Sequence, residues 1–220
     1  MFRLDCTTDK YGALYARWLD NPTPLLDFAG AISEDVVLDL CGGTGIVAQA
    51  ARERGCAAAI LDLNPRCCEP YIAEVRGRAE DAAEYYDEGT FTLVVCRQAI
   101  NYLNLLDVGA AVWSILTEDG RFVFNTFRKP RWGWKLYRRG GVIYLEASGH
   151  LGRTVMHVQA SPTIGLDVSR FHWYTHEEIM RAMSLFFDVE HQFRGPSAHY
   201  LCHRKDRPGL RELIERWRNV

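Results

Sequence analysis

The chain has no apolar run approaching the roughly 18 residues a membrane-spanning helix requires, so the sequence predicts no membrane partner. It has almost no charge imbalance either. A formal net charge of −2 leaves no global basic field of the kind that draws a protein to nucleic acid. The opening residues Met1-Phe2-Arg3-Leu4-Asp5 lack an apolar signal core. No C-x-x-C pair occurs. The seven cysteines form an odd set without zinc-ligand spacing, and Cys41 and Cys96 lie in apolar, strand-like surroundings. These features predict reduced, mostly buried thiols, no metal and a cytoplasmic location. Internal repeats, low-complexity tracts and long linkers are missing too, so the 220 residues are expected to fold as one domain.

What is present is a regular alternation. Tyr11, Leu14, Tyr15, Trp18 and Leu19 form one helical stripe over residues 11 to 19, closed by Pro22 and Pro24. "VVLDL" from residue 36 is a continuous apolar run, as in a strand buried on both faces. "IVAQAARERG" reads as a helix ending at Gly55, and "AAAILDL" as a second strand. Asn64-Pro65 offers the start of another helix. "IAEVRG", "FTLVVCR" and "RFVFNTF" supply three further strands. A helix over 104–117, ended by Glu118-Asp119-Gly120, precedes the last of them. Beyond Phe127 the runs "VIYLEA", "TVMHVQA" and "SRFHWYT" read as a small antiparallel insertion. A helix at 176–184, an antiparallel pair and a closing helix over "LRELIERW" complete the chain. The expected fold class is α/β: a doubly wound, mostly parallel seven-stranded sheet with helices on both faces, plus the insertion after the fifth strand.

"VVLDLCGGTG" carries the first chemical signal. Gly43-x-Gly45-x-x-Ala48 satisfies the dinucleotide pattern, so the glycines alone leave the ligand open. Asp39 decides it. A carboxylate ahead of the turn repels a pyrophosphate but favours a ligand carrying an ammonium and a sulfonium. Asp62 ends the second strand 23 residues later, where a carboxylate accepts hydrogen bonds from both hydroxyls of an adenosine ribose or, alternatively, caps the next helix.

With these residues the chain resembles the class I S-adenosylmethionine-dependent methyltransferases of the small-molecule type. "VLDLCGGTG" is similar to the family's first motif, with Cys41 in the place of its first glycine. "GRAEDAAEYYDEGTFTLVVCR" is similar to the stretch from a Gly-Asp-Ala-Glu turn to a Phe-Asp-x-Val-x-Cys strand, with Arg78 and Thr92 as departures. The resemblance covers residues 36–126 and implies S-adenosyl-L-methionine as cofactor. It implies a donor site built from Asp39, Cys41, Gly43, Gly45, Asp62, Leu63, Ala79, Glu80 and Arg97. A helical lid over residues 1–30 would add Tyr11 and Tyr15. The implied division is a donor core over 31–127, an acceptor-binding insertion over 128–173, and the end of the core with its C-terminal helix over 174–220.

A sulfonium methyl is already activated, so the protein's tasks are positioning and water exclusion, and a general base is optional. His157 and His172, each in an expected insertion strand, are the candidates for that base. The segment Arg128 to Arg139 holds six basic residues and three aromatics without an acid. This pattern suits a solvated loop, an anionic small acceptor or single-stranded RNA. The resulting expectation is methyl transfer to a small molecule at nitrogen, oxygen or carbon, in a chain that is monomeric or oligomeric. The alternatives are RNA or protein methylation through the basic segment, and a non-catalytic scaffold.

Overall fold

The apolar runs become the strands of one sheet. A computed structural model describes residues 21–67, 69–127, 134–139, 142–149, 152–158, 172, 174–194, 197–206 and 209–218. The helix expected at 11–19, with Tyr11 and Tyr15, lies outside them. β1 (Val36–Leu40), β2 (Ala57–Asp62), β3 (Ala73–Arg76), β4 (Phe91–Arg97) and β5 (Leu116–Phe127) pair in parallel. Three strands follow from the insertion: β6 (Trp134–Arg139), β7 (Val142–Gly149) and β8 (Gly152–Val158). β9 (Phe187–Arg194) and β10 (Ser197–Arg204) form a hairpin whose β10 runs antiparallel to β5. The seven-stranded order is β3-β2-β1-β4-β5-β10-β9, and β6-β7-β8 form a separate antiparallel sheet.

Helices cover both faces of the large sheet, which is why its central strands are largely apolar. α1 (Thr23–Phe28) and α2 (Ile46–Glu53) pack Leu26, Val47 and Ala51 against Val37, Leu93, Val95 and Val123. α3 (Ala82–Tyr85), α4 (Leu105–Ile115), α5 (His176–Met183) and α6 (Leu210–Arg218) bury Ala82, Val108, Val112, Ile179 and Ile214 against the other face. They meet Leu38, Val94, Cys96, Phe122 and Phe124 there. Leu93 and Val95 thus face one layer and Val94 and Cys96 the other, as the two-residue period of a strand dictates. Each fully buried Leu, Val or Phe contributes roughly 1.5–3 kcal/mol.

Local chemistry sets the ends. Asn104 caps α4 by accepting from the Leu106 and Asp107 amides, and Thr175 forms a reciprocal capping box with Glu178 at the start of α5. The expected turn at 118–120 is instead an outward bulge of β5. Phe91 pairs with Leu116, and the register then jumps so that Leu93 pairs with Arg121.

Two further local expectations fail. No helix begins at Asn64-Pro65, because Asp62 spends one carboxylate oxygen on the Asn64 amide (2.7 Å) and holds an irregular turn there. Of "SRFHWYT", the described residues His172, Tyr174 and Thr175 are not in a strand. The third strand of the small sheet is β6, drawn from the basic segment.

Candidate active site

β1 and β4 are neighbours whose onward connections run in opposite directions, β1 toward β2 and β3 and β4 toward β5. A crevice opens beyond the carboxyl ends of strands at such a switch point. Asp39, Cys41, Gly43 and Gly45 lie at the carboxyl end of β1 and just beyond it, Asp62 ends β2 and Arg97 ends β4.

Asp39 is buried, and its Oδ2 accepts the Ala48 amide at 3.0 Å. Ala48 is the third residue of α2, whose N-cap position is Gly45, so the strand's carboxylate supplies the cap that glycine cannot. Burial pushes the Asp39 carboxyl up to about 7. The Asp62 charge adds to this rise, while the Ala48 and Val47 amides and the Arg97 charge oppose it. A Cβ on Gly42 would sit 2.6 Å from the Asp39 carboxyl carbon, so the loop lies directly against that group. Gly45 has φ +75°, and a Cβ there would strike Ile60 Cδ1 at 2.7 Å and Cys67 Sγ at 2.8 Å. Gly43 faces nothing within 4 Å and presents bare backbone to open space.

Asp62, half-buried at the end of β2, accepts the Gly43 amide on Oδ2 at 3.0 Å and so joins the glycine turn to the second strand. Leu63 beside it is exposed. Ala79 is buried in a short 3-10 turn, Ala79–Asp81. Glu80 lies next to it, with Arg78 Nη2 3.7 Å from its Oε1. Arg78, which departs from the family pattern, therefore pairs with Glu80. Thr92, the second departure, also has a role. Its hydroxyl donates to Asp35 Oδ1 at 2.6 Å and accepts the Val36 amide at 3.0 Å.

Cys41 stands where the family resemblance places a glycine, and its φ of 60° is left-handed, a conformation that glycine adopts without strain. The Cys41 thiol is pushed up by its hydrogen bond with Cys96 and by burial, with the Asp62 and Glu80 charges adding to the effect. Both effects disfavour the thiolate, the nucleophilic form of the side chain.

At the carboxyl ends of β4 and β5 lies a polar cluster that the sequence reading missed in part. Gln98, φ 58°, is held by its amide donating to Asn125 Oδ1 at 2.9 Å. Asn125 and Thr126 are buried, as is Asn101 in the 3-10 turn Ile100–Tyr102. The available signal was Asn125-Thr126 at the end of an otherwise apolar strand. His172 is brought to this cluster through its backbone. His157 lies in β8 opposite Tyr144, and its side chain is not among those described. Tyr11 and Tyr15 lie outside the described residues. Among the described residues no group of three His, Cys, Asp or Glu side chains could hold a metal, and no helix is long and apolar enough to cross a membrane.

A family model described as a methyltransferase domain matches residues 13–186. Solved structures share the fold at low identity. An S-adenosylmethionine-dependent methyltransferase from Mesorhizobium loti is 18% identical with a TM-score of 0.60, over 91% of this chain and 100% of that one. The sugar N-methyltransferase KedS8 from Streptoalloteichus sp ATCC 53650 is 15% identical with a TM-score of 0.61, over 90% and 94%. The 1,6-didemethyltoxoflavin-N1-methyltransferase of Burkholderia thailandensis, bound to 1,6-didemethyltoxoflavin and S-adenosylhomocysteine, is 19% identical with a TM-score of 0.51, over 86% and 81%. No curated protein matches the chain significantly.

Proposed function

The chain belongs to the class I S-adenosylmethionine-dependent methyltransferases, and we propose that it transfers the methyl group to a small-molecule acceptor at nitrogen, oxygen or carbon. The carrying observation is the joined pair of carboxylates around the glycine turn, with Asp39 beneath it and Asp62 bonded to the Gly43 amide. The donor supplies an activated methyl group on a cationic sulfur.

The residues of this chain do the rest. Gly43 and Gly45 let the backbone approach the methionyl portion, and Asp39 and Arg97 set the charge under it. Asp62 accepts from the ribose hydroxyls. Leu63, Ala79 and Glu80 border the adenine, and Tyr11 and Tyr15 close the lid. Cys41 lines the turn as a small side chain. Segment 128–173 forms the acceptor side, with Lys135, Arg138 and Arg139 of β6 suited to an anionic group. The small-molecule assignment is supported by the sugar and didemethyltoxoflavin enzymes that share the fold.

Calorimetry with S-adenosylmethionine and S-adenosylhomocysteine tests the donor site. Micromolar binding is expected, with Asp62→Asn weakening it about tenfold or more through loss of charge-assisted ribose bonds. Absence of binding at millimolar donor would overturn the assignment. Incubation of acceptor pools with radiolabelled donor, followed by mass spectrometry, then identifies the product. Labelling of RNA or protein alone would overturn the small-molecule reading.

A further inference from the structure

We propose that Asn101 is a positioning residue that fastens His172 at the methyl-transfer side of the donor crevice, where the imidazole takes the proton released by the acceptor. The inference rests on the methyltransferase reading above and deepens it.

The geometry is a two-point clamp. The Asn101 backbone carbonyl accepts the His172 amide at 2.8 Å, and Asn101 Nδ2 donates to the His172 carbonyl at 2.6 Å. One residue thus reads both backbone groups of another, which fixes the position and direction of that residue. Asn101 is itself anchored. It is 1% exposed, and its Oδ1 accepts the Thr126 hydroxyl at 2.5 Å from the end of β5. A second tie lies two residues on. The Tyr174 hydroxyl donates to the Leu103 carbonyl at 2.7 Å, and its ring leans on the His172 ring at 5.7 Å between centroids. The backbone of His172 is held from both sides while its side chain stays exposed.

The placement gives this lacing its meaning. Asn101 follows β4 by four residues and Thr126 closes β5, so both lie at the carboxyl edge that carries the crevice. A buried asparagine and threonine cost free energy unless fully bonded, and a merely structural contact there is served as well by apolar side chains. What the polar pair supplies is a single register for the returning chain. The residue held in that register, His172, is exposed.

The chemistry balances without a further reactant. The acceptor's lone pair forms the new bond to the methyl carbon, the carbon–sulfur bond breaks, and neutral S-adenosylhomocysteine leaves. For an N–H or O–H acceptor the released proton passes to the neutral His172 ring and from there to water. Among the described residues the Tyr174 ring lies against His172 with its hydroxyl committed to Leu103, and the Glu178 and Glu80 carboxylates act on that Tyr174 phenol.

The test needs no acceptor. The full chain is labelled with 13C-histidine, the His172 ring resonance is assigned by loss in His172→Gln, and spectra are taken at pH 6.5 with saturating S-adenosylhomocysteine and then S-adenosylmethionine. The two ligands differ by one positive charge at the sulfur, and that charge disfavours a protonated imidazole beside it. The expected result is a shift of the His172 resonance toward the neutral form when S-adenosylmethionine replaces S-adenosylhomocysteine. This shift is lost in Asn101→Asp, whose second carboxylate oxygen repels the His172 carbonyl. Thr126→Val reduces it, and serves as the test if N101D does not fold by circular dichroism. Binding of both ligands with no difference at His172, or a difference that survives N101D and T126V, overturns the clamp while leaving the methyltransferase reading intact. Failure of either ligand to bind overturns both.

Discussion

The carboxylate of Asp39 and the amide of Ala48 are 3.0 Å apart, so the last polar residue of β1 caps the helix that follows the glycine turn. The bond ties the shape of the turn to the ionisation of one buried acid.

That link has a pH dependence. Folding raises the Asp39 carboxyl from 3.8 to about 7, chiefly through burial, so the folded state favours the protonated form. The stability contributed by this group is complete below about pH 4 and is lost as pH rises through about 7. Urea unfolding should show wild type losing stability relative to Asp39→Asn across this window. A parallel pH course for the two proteins would contradict the assignment. A cationic donor reverses the preference, so donor binding near pH 6.5 should release protons, read from calorimetric heats in buffers of different ionisation enthalpy.

Asp35 and Arg121 lock the opposite end of the sheet. Arg121 Nη2 contacts both Asp35 oxygens, at 2.6 and 2.8 Å, and Nη1 reaches the Ala29 and Gly30 carbonyls. Burial pushes the Asp35 carboxyl up, but the bonds from Thr92 and Ile32 and the Arg121 charge outweigh it and hold the group below 3.8. Arg121→Met leaves a buried carboxylate without its counter-ion and should cost about 3 kcal/mol, measured by denaturant unfolding at pH 7. The loss should shrink as acid protonates Asp35.

The backbone of the turn can be tested by paired variants. Cys41 and Gly45 both have positive φ, 60° and 75°. Cys41→Gly and Cys41→Ala remove the same thiol, yet only glycine relieves the left-handed strain, so C41G should exceed C41A in stability by about 1 kcal/mol. Gly45→Ala adds strain and the Ile60 and Cys67 clashes. It should lose on the order of 2 kcal/mol or more, and donor affinity with it. Equal stability of C41G and C41A would show that the turn relaxes freely.

His199 offers a gain. Its buried Nδ1 has no hydrogen-bond partner among the described residues, and its ring meets Phe28 edge-on at 6.1 Å. Burial, then the Arg194 charge, lowers its pKa below 6.5. The unfolded chain therefore binds the extra proton first, and stability is lost as pH falls through about 6.5. His199→Phe should raise stability by about 1 kcal/mol at pH 7, with the margin widening toward pH 5 in thermal unfolding curves.

The sequence by itself determined the strands of the large sheet and the glycine turn. An apolar run such as "FTLVVCR" has to be buried on both faces, and Gly43 and Gly45 announce a backbone that residues with side chains adopt only under strain. These signals are local, carried by neighbours along the chain. Residues brought together from distant segments were not legible. The basic segment suited a solvated loop, an anionic acceptor or RNA, and Trp134–Arg139 became a strand, because pairing with β7 overrides local composition. Thr92 had no visible purpose until Asp35 lay against it, 57 residues away in sequence. Asp39 was read as a ligand contact, and only the fold showed it capping α2. His172 was expected in a strand, and the tertiary structure fastened it to Asn101 instead. The glycine turn was legible because its constraint is backbone conformation. The cluster of Asn101, Thr126 and His172 waited for the fold, since its polar contacts cost too much to bury until partners 25 to 71 residues apart satisfy one another.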